Sequence, residues 1–169
     1  KVEAPVQNFE TLQNALVRTL YFKKLEPVPT FVSKVLQLYD TMIVRHGVML
    51  VGPTGSGKTT CRDVLSYTIN QLSDDTTLPQ DLFTKVKEYT LNPKSITYGE
   101  LYGVFNLQTH EWYNGLIPHF AHKAKGDRSN SKKWIIFDGP VDTLWIESLN
   151  SVLDDSRLLC LDNTERIQL

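Results

Sequence analysis

One stretch of the sequence, "GPTGSGKTT" from Gly52 to Thr60, constrains the fold of this chain more than any other. It matches the pattern G-x-x-x-x-G-K-[ST], in which glycines let successive backbone N–H groups approach phosphate oxygens without a clash from Cβ atoms. In this pattern the Lys58 ammonium reaches the β- and γ-phosphates, and the Thr59 hydroxyl binds Mg²⁺. The predicted phosphate-binding residues are Gly52, Pro53, Thr54, Gly55, Ser56, Gly57, Lys58, Thr59 and Thr60.

The residues on both sides of this loop favour a phosphate site over a flexible glycine turn. The run "GVMLV", residues 47–51, is short and apolar and predicts a buried parallel strand. A helix is predicted from about Lys58 to Leu72, because apolar residues recur there at the spacing of one helix face. The positive end of its dipole adds to the attraction for phosphate. This order predicts a three-layer α/β P-loop NTPase fold, with a parallel sheet flanked by helices.

A second motif, "WIIFDGPVD" over 134–142, places a carboxylate after an apolar run. Asp138 stands where P-loop ATPases hold Mg²⁺, although Asp is also common in a turn before Gly-Pro. The predicted Mg²⁺ ligands are therefore Thr59 and Asp138. Gly139 follows and has no side chain to deprotonate an attacking water, and the loss of a general base typically costs about 10²- to 10⁴-fold in rate. The motif predicts a site that binds ATP (or ADP) and hydrolyses it poorly.

Asp142 is the nearest candidate for a substitute base. Its simpler role is to cap the helix predicted over "TLWIESLNSVLDD", and the role of base is the alternative. Glu147 is predicted to lie on the exposed side of that helix. His110, His119 and His122 are close in sequence, but no Cys or carboxylate lies at a spacing that supports a metal site, so we expect solvated or packed histidines.

The composition excludes several classes of function. The 18 basic and 19 acidic residues nearly balance, so neither nucleic acid nor an anionic membrane is an expected partner. No stretch reaches the roughly 18 apolar residues of a membrane span, and the first residues do not form a signal peptide. Cys61 and Cys160 are predicted to be small core residues in a reducing compartment. The absence of an initiator Met indicates a piece of a longer chain.

The remaining elements follow from capping and turn signals. Asn8 is predicted to cap a first helix through about Lys24, and Thr30 a second helix to about His46. Thr97 and Glu100 have the spacing of a capping box, so a further helix is predicted from Tyr98. The other predicted elements are a strand over "KEYTLNP", an interruption of the Tyr98 helix at "FNLQTHEWYNG", its continuation through "LIPHFAHKAK", a strand over "KWIIFD" and a hairpin over "LLCLDNTERIQL".

Four segments carry a resemblance to a known family: "FVSKVLQLYDTMIVRHGVMLVGPTGSGKTTC", "LNPKSITYGELYG", "THEW" and "FDGPVDTLWIESLNSVLDD". They resemble the second AAA+ module of a dynein heavy chain, over nearly the whole chain from about Phe31. "LNPKSIT" and "FDGPVD" are more similar to axonemal dyneins than to the cytoplasmic form. In this resemblance Gly52 through Thr60 match Walker A, Asp138 matches Walker B, and Gly139 stands in place of the catalytic Glu.

The resemblance implies a ring of six AAA+ modules in one chain, which walks on microtubules with ATP hydrolysed mainly at the first module. It implies an N-terminal helix and linker over 1–29 and, over 30–169, a partial AAA+ large subdomain without sensor strands or lid and with a C-terminal β-hairpin. The implied partners are neighbouring AAA+ modules, microtubules, and dynein intermediate and light chains. The implied location is the cytoplasm and cytoskeleton, in a ciliary or flagellar axoneme. The arginine completing the pocket would come from the third module.

Three functions are thus open from the sequence. The first is a structural and regulatory module that holds ATP·Mg²⁺ between itself and the next module. The second is a hydrolytically active P-loop ATPase that uses Asp142 or a residue beyond this chain as base. The third is a small P-loop kinase, which lacks an evident acceptor pocket. Val28 and Pro29 are the only candidates for adenine contact, with a plain linker as the alternative.

Overall fold

The structure is a computed structural model that describes residues 7–79, 82–154 and 156–169, without the side chains of residues 7 and 8. The chain divides into two compact units. Unit 1 comprises 1–86 and 130–132, and unit 2 comprises 87–129 and 133–169. None of the described helices combines the length and apolar character that a membrane span requires.

Unit 1 is built from three helices of 16 residues each, α1 (Gln7–Phe22), α2 (Pro29–Val44) and α3 (Lys58–Ser73). Each helix carries apolar residues on one face, and burial of these faces against each other forms the core. Inside this core the Thr68 hydroxyl lies 2.9 Å from the Thr19 hydroxyl and 2.7 Å from the Val64 carbonyl oxygen. The buried residues of this core include Leu12, Leu16, Leu20, Val32, Val35, Leu38, Cys61, Val64, Leu65, Ile69 and Leu72.

The predicted helix starts in unit 1 need correction. The described part of α1 starts at Gln7, so Asn8 lies within the helix, and its side chain is outside the described residues. Helix α2 begins at Pro29 after an extended Val28, without a side-chain cap, so the prediction of a Thr30 cap is wrong. Proline at the first helical position explains the earlier start, because its fixed φ suits a helix and its missing N–H would have no intrahelical partner there.

The prediction of a buried strand over residues 47–51 is also wrong. This segment has no strand assignment, and the exposed fraction is 53% for Met49 and 82% for Val51. A strand exists only through hydrogen bonds to a neighbouring strand, and the described residues provide no such ladder for this segment. The helix that follows the loop is confirmed, since α3 covers Lys58–Ser73.

A two-stranded parallel sheet runs between β1 (Val86–Leu91) and β4 (Lys132–Phe137). The Lys132 amide donates to the Lys85 carbonyl at 2.7 Å, and the Asp138 amide donates to the Leu91 carbonyl at 2.8 Å. The constant offset between these partners shows that the strands are parallel. Strands were predicted over "KEYTLNP" and "KWIIFD" and are confirmed as β1 and β4, and the predicted α/β character with a parallel sheet is confirmed.

The segment between these strands contains a helix, a hairpin and a second helix. Helix α4 (Tyr98–Tyr102) starts with the predicted capping box, in which the Thr97 amide donates to Glu100 Oε2 at 2.8 Å. The predicted interruption is an antiparallel hairpin of β2 (Gly103–Phe105) and β3 (Trp112–Asn114). Helix α5 (Leu116–Gly126) then follows. The Asn114-Gly115 turn signal marks the entry to α5 and not the hairpin turn.

The end of the chain contains short helices and the predicted hairpin. Asp142 caps α6 (Thr143–Ile146), which continues through a 3-10 turn into α7 (Asn150–Leu153). Strands β5 (Leu158–Cys160) and β6 (Arg166–Gln168) pair antiparallel. Unit 2 has its own core, formed by Leu91, Leu101, Tyr102, Ile117, Ala121, Trp145, Leu149, Leu159, Leu161 and Ile167.

The two cysteines differ in environment. Cys61 is buried on α3, and burial raises the pKa of its thiol, as expected for a core residue. Cys160 lies on β5 as predicted but is exposed, so the prediction of a core position is wrong for it. On a short strand of a hairpin, alternate side chains face opposite sides, and the neighbouring Leu159 takes the buried side.

Candidate nucleotide-binding site

The predicted phosphate loop forms a compact turn at the start of α3. The Ser56 amide donates to the Pro53 carbonyl at 3.2 Å. Gly55 and Gly57 have φ angles of 80° and 81°, in the left-handed region that glycine adopts without a Cβ penalty. A Cβ atom on Gly52 would lie 2.9 Å from Ser56 Oγ. Backbone conformation therefore favours glycine at positions 55 and 57, and a side chain at position 52 would require Ser56 Oγ to shift.

Lys58 lies over the loop that precedes it. Its Nζ donates to the carbonyl oxygens of Pro53 at 2.7 Å and Gly52 at 2.9 Å, and Ser56 Oγ lies 3.5 Å away. The side chain thus holds its charge beside the backbone that would surround a phosphate group. An ammonium has three donors, so a phosphate oxygen at this place would replace one or more carbonyl partners.

The first turn of α3 supplies the remaining residues of the predicted Walker A motif. Gly57 is the N-cap residue, and the first bond of this helix joins the Cys61 amide to the Gly57 carbonyl at 2.8 Å. The amides of Lys58, Thr59 and Thr60 precede that bond and have no acceptor within the helix. These amides and the helix dipole together form the type of helix start that binds anions.

Asp138 lies in unit 2, directly after β4. Its amide makes the last ladder bond to the Leu91 carbonyl, so its position is fixed by the parallel sheet. Its side chain is exposed. A carboxylate at the carboxyl end of a parallel strand is where α/β proteins place ligand-binding groups. The backbone thus holds Asp138 in place while the carboxylate faces solvent and is available to a metal or its bound water.

Gly139 lies against Asn92, which follows β1. A Cβ atom at position 139 would lie 2.7 Å from Asn92 Oδ1 and 3.4 Å from Pro93 Cδ. The backbone of Gly139 does not have a left-handed φ, so glycine is not required by its conformation. A side chain at position 139 would therefore require the end of the flexible Asn92 side chain to shift.

Asp142 is engaged by two neighbours. Its Oδ1 accepts from the Leu144 amide at 3.0 Å, which confirms the predicted cap, and its Oδ2 forms an ion pair with Lys94. The hydrogen bond from Lys94 and then the bond from Leu144 lower the pKa of Asp142 below its ordinary 3.8. A carboxylate with a lowered pKa is a weaker proton acceptor, so these contacts favour the capping role over that of a base.

The other candidates have simpler surroundings. Glu147 is exposed, as predicted. His122 Nε2 lies 3.2 Å from Glu165 Oε1, and His119 packs against Phe120. Within the described ranges, no group of three or more His, Cys, Asp or Glu side chains is placed to hold a metal ion. The expectation that the histidines do not bind metal stays a prediction.

Sequence reasoning missed Asn92 and Lys94 as neighbours of the predicted site. The signal that would have found them is the topology: β1 and β4 are parallel and adjacent, so the residues after both strands meet at one edge. "LNP" ends the first strand and "FDG" ends the second. Pairing of the two strand ends predicts that Asn92 lies beside Asp138 and Gly139.

Comparison with known families identifies the chain. The family profile described as "AAA domain (dynein-related subfamily)" matches residues 47–169. The chain belongs to the dynein-related AAA family. A second profile, described as "Hydrolytic ATP binding site of dynein motor region", matches residues 1–59. The predicted P-loop NTPase fold class is confirmed by this membership, and as a dynein-related AAA domain the chain carries an ATP-binding site.

Similar proteins are axonemal dynein heavy chains. Dynein axonemal heavy chain 6 of Homo sapiens is 49% identical over 168 residues, and dynein axonemal heavy chain 1 of Homo sapiens is 45% identical over 162 residues. The Dynein-1-beta heavy chain of the flagellar inner arm I1 complex of Chlamydomonas reinhardtii is 42% identical over 168 residues. These alignments cover 96 to 99% of this chain but 4% of each relative. The dynein-related AAA domain therefore spans a small part of the length of its relatives.

Proposed function

We propose that this dynein-related AAA domain is the second module of a dynein motor ring, and that it holds ATP·Mg²⁺ without efficient hydrolysis. One observation carries the second half of the proposal. The residue after Asp138 is Gly139, and Asn92 Oδ1 lies 2.7 Å from the point where its Cβ atom would be. Gly139 itself has no side chain that could orient or deprotonate water. The bound nucleotide would then stabilise the contact with the next module.

The phosphate side of the site would be formed by Gly52 through Thr60. The Lys58 ammonium, which now contacts the Gly52 and Pro53 carbonyls, would bind the β- and γ-phosphates. The backbone amides of the loop and of the first turn of α3 would bind the remaining phosphate oxygens. ATP is the expected nucleotide, and ADP is the form that would remain after any hydrolysis.

Mg²⁺ would be held by Thr59 and Asp138. A hydroxyl from the first helical turn and a carboxylate at a strand end are the oxygen ligands that Mg²⁺ takes in P-loop proteins. Both side chains are exposed and thus available to the ion or to its bound waters. The ion would bridge the phosphates and offset the negative charge of Asp138.

Bound nucleotide would contribute to stability by mass action. A ligand that binds only the folded, docked state adds about 2.7 kcal/mol at a concentration 100 times its Kd. A site that does not cleave its nucleotide retains this contribution through the cycle of the motor. This is the physical reason to keep a complete phosphate loop beside an incomplete hydrolytic centre.

The wider context of the proposal comes from the relatives. They are axonemal and flagellar dynein heavy chains, which supports a place in the cytoskeleton of a cilium or flagellum. The proposed partners are the neighbouring AAA+ modules, microtubules, and dynein intermediate and light chains. Within the chain, residues 1–29 would be a helix and linker, and residues 30–169 a partial AAA+ large subdomain. The profile described as the hydrolytic ATP-binding site matches only the first part of the chain and ends at residue 59. This order supports the proposal that the module follows the hydrolytic module along the heavy chain.

An active ATPase is the alternative function. One observation favours it, since a profile described as hydrolytic matches part of the chain. That match covers residues 1–59 and so does not include Asp138, Gly139 or Asp142. The alternative needs a base from Asp142 or from a residue beyond this chain. Asp142 is engaged by Lys94 and by the Leu144 amide.

The deciding experiment uses the intact heavy chain, with its other nucleotide sites disabled. After long incubation with ATP, the protein is separated from free nucleotide and denatured, and the released nucleotide is identified. A Lys58→Ala variant serves as the blank. Retained ATP in about one equivalent above the blank is the expected result. ADP with continuing exchange and turnover would contradict the proposal and point to a base elsewhere.

A further inference from the structure

We propose that a basic surface of unit 2 is a docking site for an acidic segment of another polypeptide. This surface is formed by the end of α5, the loop that follows it, and the first residues of β1 and β4. Its cationic residues, which we call the basic face, are Lys87, Lys123, Lys125, Arg128 and Lys133. The proposed role does not depend on the phosphate loop and goes beyond the proposed function.

Two lysines of the basic face hold the loop after α5. Lys87 Nζ lies 2.6 Å from Asp127 Oδ2 and 3.3 Å from Ser129 Oγ. Lys133 Nζ donates to the carbonyl oxygen of Ser129 at 2.7 Å and to that of Asp127 at 3.2 Å. The Ser129 amide donates to Asp127 Oδ1 at 2.9 Å. The loop therefore has a defined conformation, in which carboxylate, hydroxyl and carbonyl oxygens bind two ammonium groups.

Aromatic rings extend this face along α5. Tyr89 follows Lys87 by two positions on β1, so the two side chains lie on the same side of the strand. The Tyr89 ring stacks on Phe120 of α5, with the ring centroids 5.4 Å apart. Lys123 Nζ lies 5.7 Å from the centroid of the Tyr89 ring. Lys123 is therefore on the side of the sheet that Lys87 faces, and one surface carries both lysines.

The basic face carries an excess of positive charge. Residues 123–133 contain five basic side chains and one acidic side chain, Asp127, in a chain whose net charge is −1. The hydrogen bond from Lys87 is the main reason that the pKa of Asp127 lies below its ordinary 3.8, so this carboxylate is already paired. Glu88 follows Lys87 directly, and on a strand it faces the other side of the sheet. A net positive charge therefore remains on the face.

The outer cations of the face are Lys123, Lys125 and Arg128, and all three are exposed. The two lysines lie in the last turn of α5, where a cation also interacts favourably with the helix dipole. Arg128 follows the helix, and the planar fork of its guanidinium group matches the geometry of a carboxylate. The face thus presents carboxylate-binding groups to solvent around a loop that is already ordered.

The chemistry of the partner follows from what the basic face already binds. Lys87 holds a side-chain carboxylate, and Lys133 holds peptide carbonyl oxygens. An extended acidic segment offers both groups, with a residue about every 3.3 Å. Nucleic acids and anionic membranes are attracted by large fields of a single sign, whereas this chain is almost neutral as a whole. An acidic polypeptide segment is therefore the occupant that fits a small basic face.

The test uses the intact heavy chain and an oligo-glutamate peptide as the probe. The peptide is sparingly activated with a carbodiimide and the excess reagent is quenched, so most of its carboxylates stay charged and the carboxylates of the protein are not activated. A lysine Nζ then attacks the activated carboxyl carbon, loses a proton and forms an amide bond as the activating group leaves. Mass spectrometry of the digested protein gives the yield of this cross-link at each lysine.

The yield at Lys125 is compared with the yield at Lys34, an exposed lysine of α2. At an ionic strength of about 0.01 M, where charges interact over about 30 Å, the yield at Lys125 should be at least about threefold higher. This excess should shrink at about 0.15 M, where screening shortens the range to about 8 Å.

Charge reversal tests the face directly. Lys123→Glu/Arg128→Glu should lower the yield at Lys125 by about three- to tenfold, because two neighbouring cations become anions. The matched control is Lys24→Glu/Lys34→Glu, which reverses two exposed lysines of unit 1 and should leave the yield at Lys125 unchanged. Lys123→Gln/Arg128→Gln removes the charges without adding new ones, and it decides the question if charge reversal impairs folding.

Two results would overturn the proposal. The first is a yield at Lys125 that does not exceed the yield at Lys34, or that Lys123→Gln/Arg128→Gln leaves unchanged, since either would show a solvated surface without preference for an acidic segment. The second is stronger competition by a single-stranded oligonucleotide, or by phosphatidylserine vesicles, than by unactivated oligo-glutamate at the same concentration of negative charge. That result would identify a phosphate-bearing ligand in place of a polypeptide.

Discussion

The Asp138 amide donates to the Leu91 carbonyl at 2.8 Å, and this bond places the ends of two parallel strands side by side in unit 2. It brings Asn92 and Gly139 into contact and sets Asp138 at the carboxyl edge of the sheet. The same edge contains the Lys94–Asp142 ion pair. The predictions below test what each of these residues, and the loop in unit 1, contributes.

Lys58→Ala should weaken nucleotide binding to the intact heavy chain by about 10- to 100-fold, the range expected for loss of a charged hydrogen-bond donor. The fold should be retained, because the partners of the Lys58 ammonium among the described residues are oxygens of the loop itself. The measurement is the Kd for ATP at this site, with the other sites disabled. Lys34→Ala is the matched control, since Lys34 is an exposed lysine of α2 that bonds to Gln37. Equal loss in both variants would contradict a phosphate role for Lys58.

Asp138→Asn should reduce the dependence of ATP binding on Mg²⁺ and leave the sheet in place. The backbone amide of Asp138 makes the ladder bond, and its exposed side chain is not needed for the fold. The change replaces an anionic ligand by a neutral one, so the gain in affinity on addition of Mg²⁺ should fall. The measurement is a titration with ATP at several Mg²⁺ concentrations. Asp162→Asn, at an exposed position in the β5–β6 turn, is the control.

Asp142→Asn should leave both the retention of ATP and the low turnover unchanged. Asn is as good an N-cap as Asp, so the start of α6 is preserved while the charge is lost. The measurement is the rate of phosphate release from the intact heavy chain with its other sites disabled. An abolished turnover with binding preserved would instead identify Asp142 as the base of an active ATPase.

The charge of Asp142 also sets a pH dependence. Lys94 and the Leu144 amide hold the pKa of Asp142 below its ordinary 3.8 in the folded state. Its contribution to stability is therefore fully present above about 3.8, and it is lost as the pH falls through the lower folded value. Asp142 therefore stays ionised between about pH 6 and pH 8. Over this range the protection of the α6 amides against hydrogen exchange, corrected for the intrinsic rate, should stay constant to within about an order of magnitude.

Thr97→Ala should destabilise α4 by about 0.5 to 2 kcal/mol, the usual effect of removing an N-cap side chain. The Glu100 amide donates to Thr97 Oγ1 at 3.3 Å, and Thr97 Oγ1 donates to Glu100 Oε2 at 2.9 Å. The measurement is the local opening free energy from hydrogen exchange of the α4 amides. Thr97→Ser keeps the hydroxyl and should retain the protection. Equal exchange in Thr97→Ala and the unmodified protein would show that the cap is not needed.

Local signals predicted much of this structure. The phosphate-loop pattern, the helix from Lys58 and the Thr97–Glu100 capping box depend on residues only a few positions apart, and the helix and the capping box are present in the structure. The helix starts were less predictable. Pro29 takes the first position of α2 ahead of the expected cap Thr30, because a proline needs no acceptor for an amide.

Long-range pairing could not be predicted in the same way. Residues 47–51 have the composition of a buried strand, yet the described residues provide no partner strand, and the side chains are exposed. An apolar composition shows that a segment is able to form a strand. It becomes a strand only where a neighbouring strand offers backbone N–H and C=O groups for hydrogen bonding. The exposure of Cys160 could not be predicted for the same reason. Which side of the hairpin is buried depends on the elements that pack against it.

The sequence by itself determined the family, the phosphate loop, the carboxylate Asp138 and the missing side chain at Gly139, because each is a matter of residue type and local spacing. Only the tertiary structure decided that Asn92 fills the space beside Gly139 and that Lys94 binds Asp142, 48 residues further along the chain. The physical reason is the register of β1 and β4. Parallel hydrogen bonding fixes which residues meet at the strand ends. The register cannot be predicted from the sequence before it is known which strands pair.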